Sequence, residues 1–148
     1  MQIHWQLKRF DELNPHELYA LLQLRSEVFV VEQHCVYLDA DGKDPHCYHL
    51  LGALEGKLGA YCRILPPGVS YPEASIGRVV SSPSFRGRGL GAKLLQQALD
   101  RLGELFGSVP VTIGAQLYLQ KFYEGFGFRR TSEVYLEDGI EHIYMRRP

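Results

Sequence analysis

Residues 76–106, IGRVVSSPSFRGRGLGAKLLQQALDRLGELF, decide the fold because they predict a strand, a glycine-rich turn and a helix in direct succession. Within the turn, Gly87, Gly89 and Gly91 alternate with larger residues. Closely spaced glycines let the backbone turn tightly and expose its N–H groups. Since the helix begins inside this turn, its unpaired amides and its positive dipole end face the same place. The stretch therefore predicts an anion site, and a phosphate group suits such a site well.

Two other phosphate-binding patterns fit this turn less well. The P-loop pattern is absent, because no Lys followed by Ser or Thr comes after Gly91. Gly87, Gly89 and Ala92 do match the dinucleotide pattern G-x-G-x-x-A. However, residues 81–86 form too long a connection between the strand and the first glycine, and the next strand ends in Gln116 instead of an acid. The sequence therefore disfavours a dinucleotide-binding fold.

The composition predicts a single domain that spans residues 1–148. Of the 148 residues, 45% are hydrophobic and 22% are charged, which is ordinary for a globular domain. The formal net charge of −1 argues against a broad basic surface for nucleic acid or a membrane. The N-terminal sequence MQIHWQLKRF lacks an apolar leader and no apolar run is long enough to cross a bilayer, so we expect a cytoplasmic protein. The three cysteines lack C-x-x-C spacing, which predicts reduced thiols.

The other helices and strands are predicted from hydrophobic periodicity and turn residues. Alternation over residues 3–7 predicts a first strand, and Asn14-Pro15-His16-Glu17 predicts a helix start capped by Asn14. Hairpin turns are predicted at residues 55–57 and 137–139. Gly107 is predicted to end the helix that follows the glycine turn. The later strands are predicted at residues 50–54, 58–65, 76–81, 111–115, 131–136 and 140–145.

The order of these elements predicts an α/β domain with a mixed sheet. A strand–helix–strand crossover makes strand 111–115 parallel to strand 76–81. The hairpins make their strands antiparallel. We therefore expect a mostly antiparallel sheet with one parallel strand pair and flanking helices.

Arginines interrupt apolar stretches at three places. Arg25 lies on the apolar stripe of the first helix, where a charge must be paired or face a cavity. A structural ion pair with Glu32 and a substrate-binding role both remain open for Arg25. Arg63 and Arg78, on neighbouring strands, either clamp a substrate carboxylate or reach solvent or Glu73.

Residues 34–49, HCVYLDADGKDPHCYH, predict a loop rich in acids, histidines and cysteines. The positions of Asp39, Asp41 and Asp44 around Gly42 do not match a calcium loop. The histidine and cysteine spacing matches no zinc motif, so we expect no metal. Either the loop is an acidic rim that attracts amines or it is a solvated turn.

Two motifs resemble the GNAT superfamily of acetyl-CoA-dependent N-acetyltransferases. Arg86-x-x-Gly89-x-Gly91 resembles its R/Q-x-x-G-x-G/A pyrophosphate loop. QLYLQKFYEGFGF, at residues 116–128, is similar to its N-x-x-A-x-x-x-Y-x-x-x-G-F ending, with Tyr123 at the tyrosine position and Gln116 replacing Asn. RSEVFVVEQ, at residues 25–33, resembles the ElaA-like subgroup.

This resemblance implies the GNAT fold, in which the parallel strand pair is splayed, and acyl transfer from acetyl-CoA without a metal. Tyr123 would donate a proton to the leaving thiolate, as a general acid. The strand ending in Ser81 would pair with the pantetheine amides, and a backbone N–H near Val80 would stabilise the oxyanion. The predicted acetyl-CoA contacts are Val79, Val80, Ser81, Arg86, Gly87, Arg88, Gly89, Leu90, Gly91, Ala92 and Gln116.

The acceptor implied by the resemblance is an amino group of a small molecule or peptide. Two alternatives are a non-catalytic acyl-CoA-binding module and an acyltransferase that uses a non-amine acceptor. The sequence leaves open whether the acyl group is longer than acetyl and whether the chain forms a homodimer. The predicted substrate-site residues are Arg25, Glu32, Arg78 and His142. The candidates for the general base are Glu32, Asp41, His49, Glu141 and His142.

Overall fold

The computed structural model describes residues 2–148, which form two sheets and three α-helices. The first sheet contains, in spatial order, β1 (His4–Arg9), β2 (Tyr48–Leu54), β3 (Lys57–Leu65) and β4 (Ser75–Ser81). The second contains β5 (Val111–Gln116), β8 (Ile140–Arg147) and β6 (Arg129–Arg130), with β7 (Tyr135–Glu137) also paired to β8. The helices are α1 (Pro15–Arg25), α2 (Leu90–Phe106) and α3 (Gln120–Glu124).

The two sheets meet where β4 and β5 begin. Ala74 and Val111 form a parallel bridge, and the amide of Thr112 donates to the carbonyl oxygen of Ala74 at 3.0 Å. Beyond this bridge β4 pairs with β3 and β5 pairs with β8, so the two parallel strands diverge. The predicted mixed α/β fold with a splayed parallel pair is confirmed. The divergence opens a cleft between the sheets.

Helix α2 covers the junction between the sheets and supplies much of the core. Its apolar face buries Leu94, Leu95, Ala98 and Leu102. These side chains share a core with buried residues of both sheets: Ile76, Val111, Ile113, Ala115, Ile143 and Met145. Full burial of a leucine contributes roughly 1.5–3 kcal/mol. The helix therefore fixes the relative position of the sheets, and its first turn is held at the edge of the cleft.

Most of the predicted boundaries are confirmed. Asn14 caps α1 by accepting a hydrogen bond from the amide of Glu17 at 2.8 Å, and Glu17 Oε1 accepts from the amide of Asn14 at 3.0 Å. Gly107, with a φ of 77°, ends α2. Two-residue turns join β2 to β3 and β7 to β8, as the hairpin prediction required. After α1 the chain continues as a π-helical segment, Ser26–Glu32, which the sequence pattern did not predict.

The predicted strand at residues 131–136 is wrong, because the chain leaves the sheet between β6 and β7. The hydroxyl of Ser132 accepts a hydrogen bond from the amide of Tyr144 at 2.8 Å and donates to the carbonyl oxygen of Glu133 at 2.9 Å. The side chain thus takes the β8 donor that a strand carbonyl would have bound. The regular ladder is interrupted, and β7 begins only at Tyr135.

Candidate active site

A cleft of about 720 Å³ lies between the diverging ends of β4 and β5. The π-helical segment, the loop after it and the β7–β8 hairpin complete its walls. Most of the residues predicted for the site meet here, although they come from six parts of the chain. Those that line the cleft are Glu32, Arg78, Val79, Val80, Ser81, Arg86, Gln116, Tyr123 and His142. Residues 87–92 follow directly from Arg86.

The glycine turn presents free backbone amides at one end of this cleft. Gly87 and Gly89 have φ values of 83° and 72°, which glycine adopts without strain. A Cβ atom at either position would meet nothing within 4 Å, so the need for glycine is conformational and not steric. Gly89 precedes the first residue of α2, Leu90, and within residues 2–148 no side chain caps this helix. The first amides of α2 therefore lack a side-chain partner, and their role as an anion site stays a prediction.

Arg86, at the rim of the turn, is bound to a carboxylate of the protein. Its Nη1 donates to Oε2 of Glu32 at 2.8 Å, and its Nη2 donates to Oε1 at 2.6 Å. The bidentate hydrogen bond lowers the pKa of Glu32 and raises that of Arg86. Both side chains are about half exposed, so a phosphate can reach Arg86 by displacing Glu32. Arg88 instead lies over the ring of Phe85, 5.2 Å from its centroid.

A β-bulge changes the course of β4 beside the cleft. Tyr61 of β3 pairs with Val80, whereas Arg63 pairs with Gly77, so two residues of β4 lie opposite one residue of β3. Arg78 occupies the bulge with a φ of 51°, a strained value for a residue with a side chain. A bulge disrupts the ladder and turns the backbone locally. The backbone next to Val79 is therefore free of regular pairing where it borders the cleft.

The substrate role predicted for Arg25 is wrong, and so is its predicted partner Glu32. The Arg25 side chain is fully buried and is bound inside the protein. Its Nε donates to Oδ2 of Asp39 and its Nη1 to Oδ1 of Asp44, each at 2.8 Å, while Nη2 donates to the carbonyl oxygen of Asp39 at 3.0 Å. Each of its three nitrogens thus donates to a partner within the protein, and Arg25 is absent from the cleft lining.

Arg63 and Arg78 bind aspartates of the loop and not Glu73, but both also line the cleft, so a contact with a substrate carboxylate stays a prediction. Nη2 of Arg63 donates to Asp41 at 2.6 Å, and Nη1 donates to Asp44 at 2.9 Å. Nε of Arg78 lies 2.9 Å from Oδ1 of Asp39, and its guanidinium lies over a tyrosine ring. The acidic loop is thus held by arginines and is not a solvated turn, while its attraction for amines stays a prediction.

The three arginines and three aspartates, which we call the Arg–Asp cluster, neutralise one another. Burial alone would raise the pKa of Asp41 and of Asp44, but the arginine hydrogen bonds outweigh it and lower both pKa values. The sequence signal for this arrangement was the match in number between interrupting arginines and loop aspartates. Its members are Arg25, Arg63, Arg78, Asp39, Asp41 and Asp44.

The opposite wall of the cleft carries Tyr123, Gln116 and His142. Tyr123 is 7% exposed, and burial raises its pKa, so the phenol stays protonated at neutral pH and is able to donate its proton. Nε2 of Gln116 lies 3.4 Å from Oε1 of Gln33, which bridges β5 to the π-helical segment. The sequence reasoning did not identify Gln33, and it used Glu137 only as a turn residue.

Several further properties bound the chemistry of this site. Within residues 2–148, no group of three or more histidines, cysteines or acids is placed to hold a metal ion. In the same part of the chain, none of the helices combines the length and apolarity needed to span a bilayer.

Comparison with known proteins gives the family. A family model described as an acetyltransferase (GNAT) domain matches residues 57–147. Protein ElaA of Escherichia coli strain K12 is 46% identical over 98% of this chain and 96% of its own length. A UPF0039 protein of Synechocystis sp. is 41% identical over 98% of this chain and 95% of its own.

Solved structures agree with these sequence matches. An acyl-CoA N-acyltransferase from Pseudomonas aeruginosa is 47% identical, with a TM-score of 0.95 over 99% of this chain and all (100%) of that chain. The crystal structure of Escherichia coli ElaA gives a TM-score of 0.93 at 44% identity, over 99% and 100% of the two chains. A GNAT family acetyltransferase from Elizabethkingia anophelis, solved with acetyl-CoA bound, shares the fold at 18% identity and a TM-score of 0.64, over 98% and 97%. The chain therefore belongs to the GNAT acyltransferase family and, within it, to the ElaA-like proteins.

Proposed function

We propose that this protein is an acetyl-CoA-dependent N-acetyltransferase that transfers the acetyl group directly to an amino group of a small molecule or peptide. The whole chain, residues 1–148, acts as one domain. The observation that carries the proposal is the position of two groups in one cleft. Arg86, from which the glycine turn leads into the uncapped start of α2, and the protonated phenol of Tyr123 both line this cleft.

In the proposed complex the cofactor follows the cleft from the glycine turn towards the bulge. Amides of residues 86–92 hold the diphosphate, and Arg86 exchanges Glu32 for a phosphate oxygen. The free edge of β4, from Val79 to Ser81, pairs with the pantetheine amides as an added strand would. Gln116, opposite this edge, supplies an amide to the same arm. The acetyl-CoA-bound relative with the same fold supports this choice of donor.

The chemical step needs three contributions from the protein. A backbone N–H beside the bulge, near Val80, stabilises the negative charge that develops on the thioester oxygen. Tyr123 protonates the departing thiolate, which prevents the reverse reaction. A base must take a proton from the acceptor, because aliphatic amines are ammonium ions at neutral pH. We propose that groups lining the cleft supply all three.

The proposal is tested first by binding. Calorimetry is expected to show saturable binding of acetyl-CoA, and acetyl-pantetheine, which lacks the diphosphate, is expected to bind about 100-fold more weakly because it cannot use the α2 amides. Equal affinity for the two ligands would contradict the phosphate role of the turn. Absence of binding would overturn the function.

Turnover is tested next with a panel of primary amines. Release of the CoA thiol and a mass increase of one acetyl group on nitrogen are the expected results. Saturable acetyl-CoA binding with no thiol release would favour the non-catalytic binding module. Acylation of oxygen would favour a non-amine acceptor.

A further inference from the structure

The ring of His142 has its tautomer fixed by a backbone carbonyl. His142 is 7% exposed, and its Nδ1 lies 2.8 Å from the carbonyl oxygen of Ile140. A carbonyl oxygen accepts hydrogen bonds and cannot donate them, so Nδ1 carries the hydrogen. In the neutral ring, Nε2 therefore bears a lone pair. His142 lines the cleft, and so does Glu137, towards which this nitrogen points.

Nε2 of His142 faces a second hydrogen-bond acceptor. Oε2 of Glu137 lies 3.4 Å away, across the β7–β8 hairpin. Two acceptors at this separation need a shared donor, either a proton on the ring or an N–H group from a ligand. The Glu137 side chain is 58% exposed and the His142 side chain 9% exposed, so a ligand reaches the pair from the cleft. A primary ammonium, with three N–H donors, satisfies both acceptors at once.

The surroundings of the pair also favour a cation. The ring of Tyr135 stacks on His142, with centroids 5.8 Å apart, and on Tyr144, at 4.6 Å. The hydroxyls of Tyr135 and Tyr71 converge over Gly114, where a Cβ atom would lie 2.9 and 3.2 Å from them. Phenol rings and hydroxyls accept the charge of an alkylammonium ion. Gly114 thus provides the space in which these two tyrosines approach each other.

Acidic side chains at this end of the cleft are placed to attract the ammonium group of an acceptor. Asp138, beside Glu137, also lines the cleft, and Lys43 is bound to Ser70 at 2.9 Å. On the facing wall, Arg63 and Arg78 are neutralised within the Arg–Asp cluster. Within residues 2–148 the guanidiniums that line this part of the cleft therefore have aspartate partners, whereas Lys43 keeps its charge because its partner Ser70 is neutral.

We propose that Glu137 and His142 form the binding site for the ammonium group of the acceptor, and that Nε2 of His142 is the general base. The proposal rests on the proposed function, since it assumes an amine acceptor. It also restricts the acceptor to primary alkylamines, with no requirement for a carboxylate next to the amine.

The proton transfers balance as follows. The ammonium gives one proton to Nε2 of His142, and the resulting imidazolium pairs with Glu137. The neutral amine attacks the thioester carbon, so that the C–N bond forms and the C–S bond breaks. Tyr123 protonates the thiolate, and its phenolate then takes the second proton from nitrogen. The imidazolium finally releases its proton to water, which restores the site.

Binding is tested without turnover by NMR. The His142 ring signal, assigned by its loss in His142→Asn, is followed while n-butylammonium or n-butanol is added at pH 7. The ammonium is expected to shift the signal and the isosteric alcohol is not. Glu137→Gln is expected to weaken the ammonium response about tenfold. Glu141→Gln is the matched control, because Glu141 is exposed on the opposite face of β8.

Equal responses to amine and alcohol, or equal affinity in Glu137→Gln and in the wild type, would overturn the binding site. A shifted signal without CoA release from any amine would leave the ammonium site standing while the N-acetyltransferase proposal fails. The two proposals are therefore separable.

The base is tested by kinetics with two amines. His142→Asn keeps a donor near the position of Nδ1 and removes Nε2. At pH 7 we expect kcat/KM to fall about 100-fold with n-butylamine, which must lose a proton first. With 2,2,2-trifluoroethylamine, which is already neutral at pH 7, we expect little change. An equal loss with both amines would show a merely structural role and would overturn the assignment of the base.

Discussion

His49 and His142 are both buried, and in each a backbone carbonyl fixes the tautomer, but their second nitrogens differ. Nε2 of His49 donates to the carbonyl oxygen of Asp44 at 2.9 Å, and its Nδ1 accepts from the hydroxyl of Tyr61 at 2.7 Å. Nε2 of His142 instead faces the carboxylate of Glu137, which cannot donate when ionised. Both ring nitrogens of His49 are therefore bound within the protein, whereas Nε2 of His142 is available to a ligand.

The same contrast separates the two sides of the cleft. On one side every charge of the Arg–Asp cluster has a partner within the protein. On the other side Tyr123 and His142 carry protons or lone pairs towards the cleft. A burial or charge pattern alone does not distinguish them. The presence or absence of an oppositely charged or hydrogen-bonding partner within the protein does, and each prediction below tests one side of that difference.

The largest effect, on the free energy of unfolding, is expected when the Arg–Asp cluster loses its buried arginine, Arg25. Arg25→Met leaves Asp39 and Asp44 without their shared partner, and breaking a buried ion pair in this way costs about 3–5 kcal/mol. Urea denaturation followed by circular dichroism measures the change in unfolding free energy. Arg86→Met, which breaks an exposed pair, is the control and is expected to change stability little. Similar values for the two variants would contradict the structural role of the cluster.

On the open side, Tyr123→Phe is expected to lower kcat about 100-fold, because the thiolate loses its proton donor. The dissociation constant for acetyl-CoA should stay nearly unchanged, since the ring remains in place. Tyr118→Phe is the matched control, because Tyr118 lines the same cleft but is 75% exposed. The rate of CoA-thiol release gives kcat for both variants. Unaltered turnover in Tyr123→Phe would remove this hydroxyl from the mechanism.

The sequence could predict those features that depend on neighbouring residues. The glycine turn, the Asn14 cap and the hairpin turns need only local backbone preferences, and each is found where expected. The helix–turn motif also placed Tyr123 in the cleft, through its resemblance to a known family.

The partners of the arginines could not be predicted in the same way. Arg25 binds residues 14 and 19 positions away, in a loop without regular structure. Glu32 was assigned to Arg25 because it is close in sequence, but it pairs with Arg86, 54 positions on. Glu137 looked like a turn residue, and only the register of β7 on β8 brings it to His142. Contacts between residues far apart in sequence therefore decide which charged side chains are paired within the protein and which can bind a ligand.

A smaller effect is expected from the protonation of His49. Burial lowers the pKa of His49, so the folded state binds the proton less readily than the unfolded state, whose pKa is about 6.5. Stability is then complete above that pKa and falls as the pH drops below it, by at most about 1.4 kcal/mol per pH unit for one proton. Urea midpoints at pH 7.5, 6.5 and 5.5 measure the fall. It should become shallower in His49→Gln, and a parallel dependence in both proteins would exclude His49 as its source.

The smallest effect is expected for the ion pair between Arg86 and Glu32, which is formed in the free protein and broken in the proposed complex with acetyl-CoA. Arg86 donates to Glu32 in the free protein and to a phosphate in the proposed complex. Glu32 therefore competes with acetyl-CoA for the same guanidinium. Glu32→Gln is therefore expected to lower the dissociation constant for acetyl-CoA about two- to fivefold, a modest gain because exposed pairs are weak. Calorimetry measures it, with Glu104→Gln on the exposed face of α2 as the charge-matched control. Weaker binding in Glu32→Gln would mean that the carboxylate positions Arg86 for the phosphate instead of competing with it.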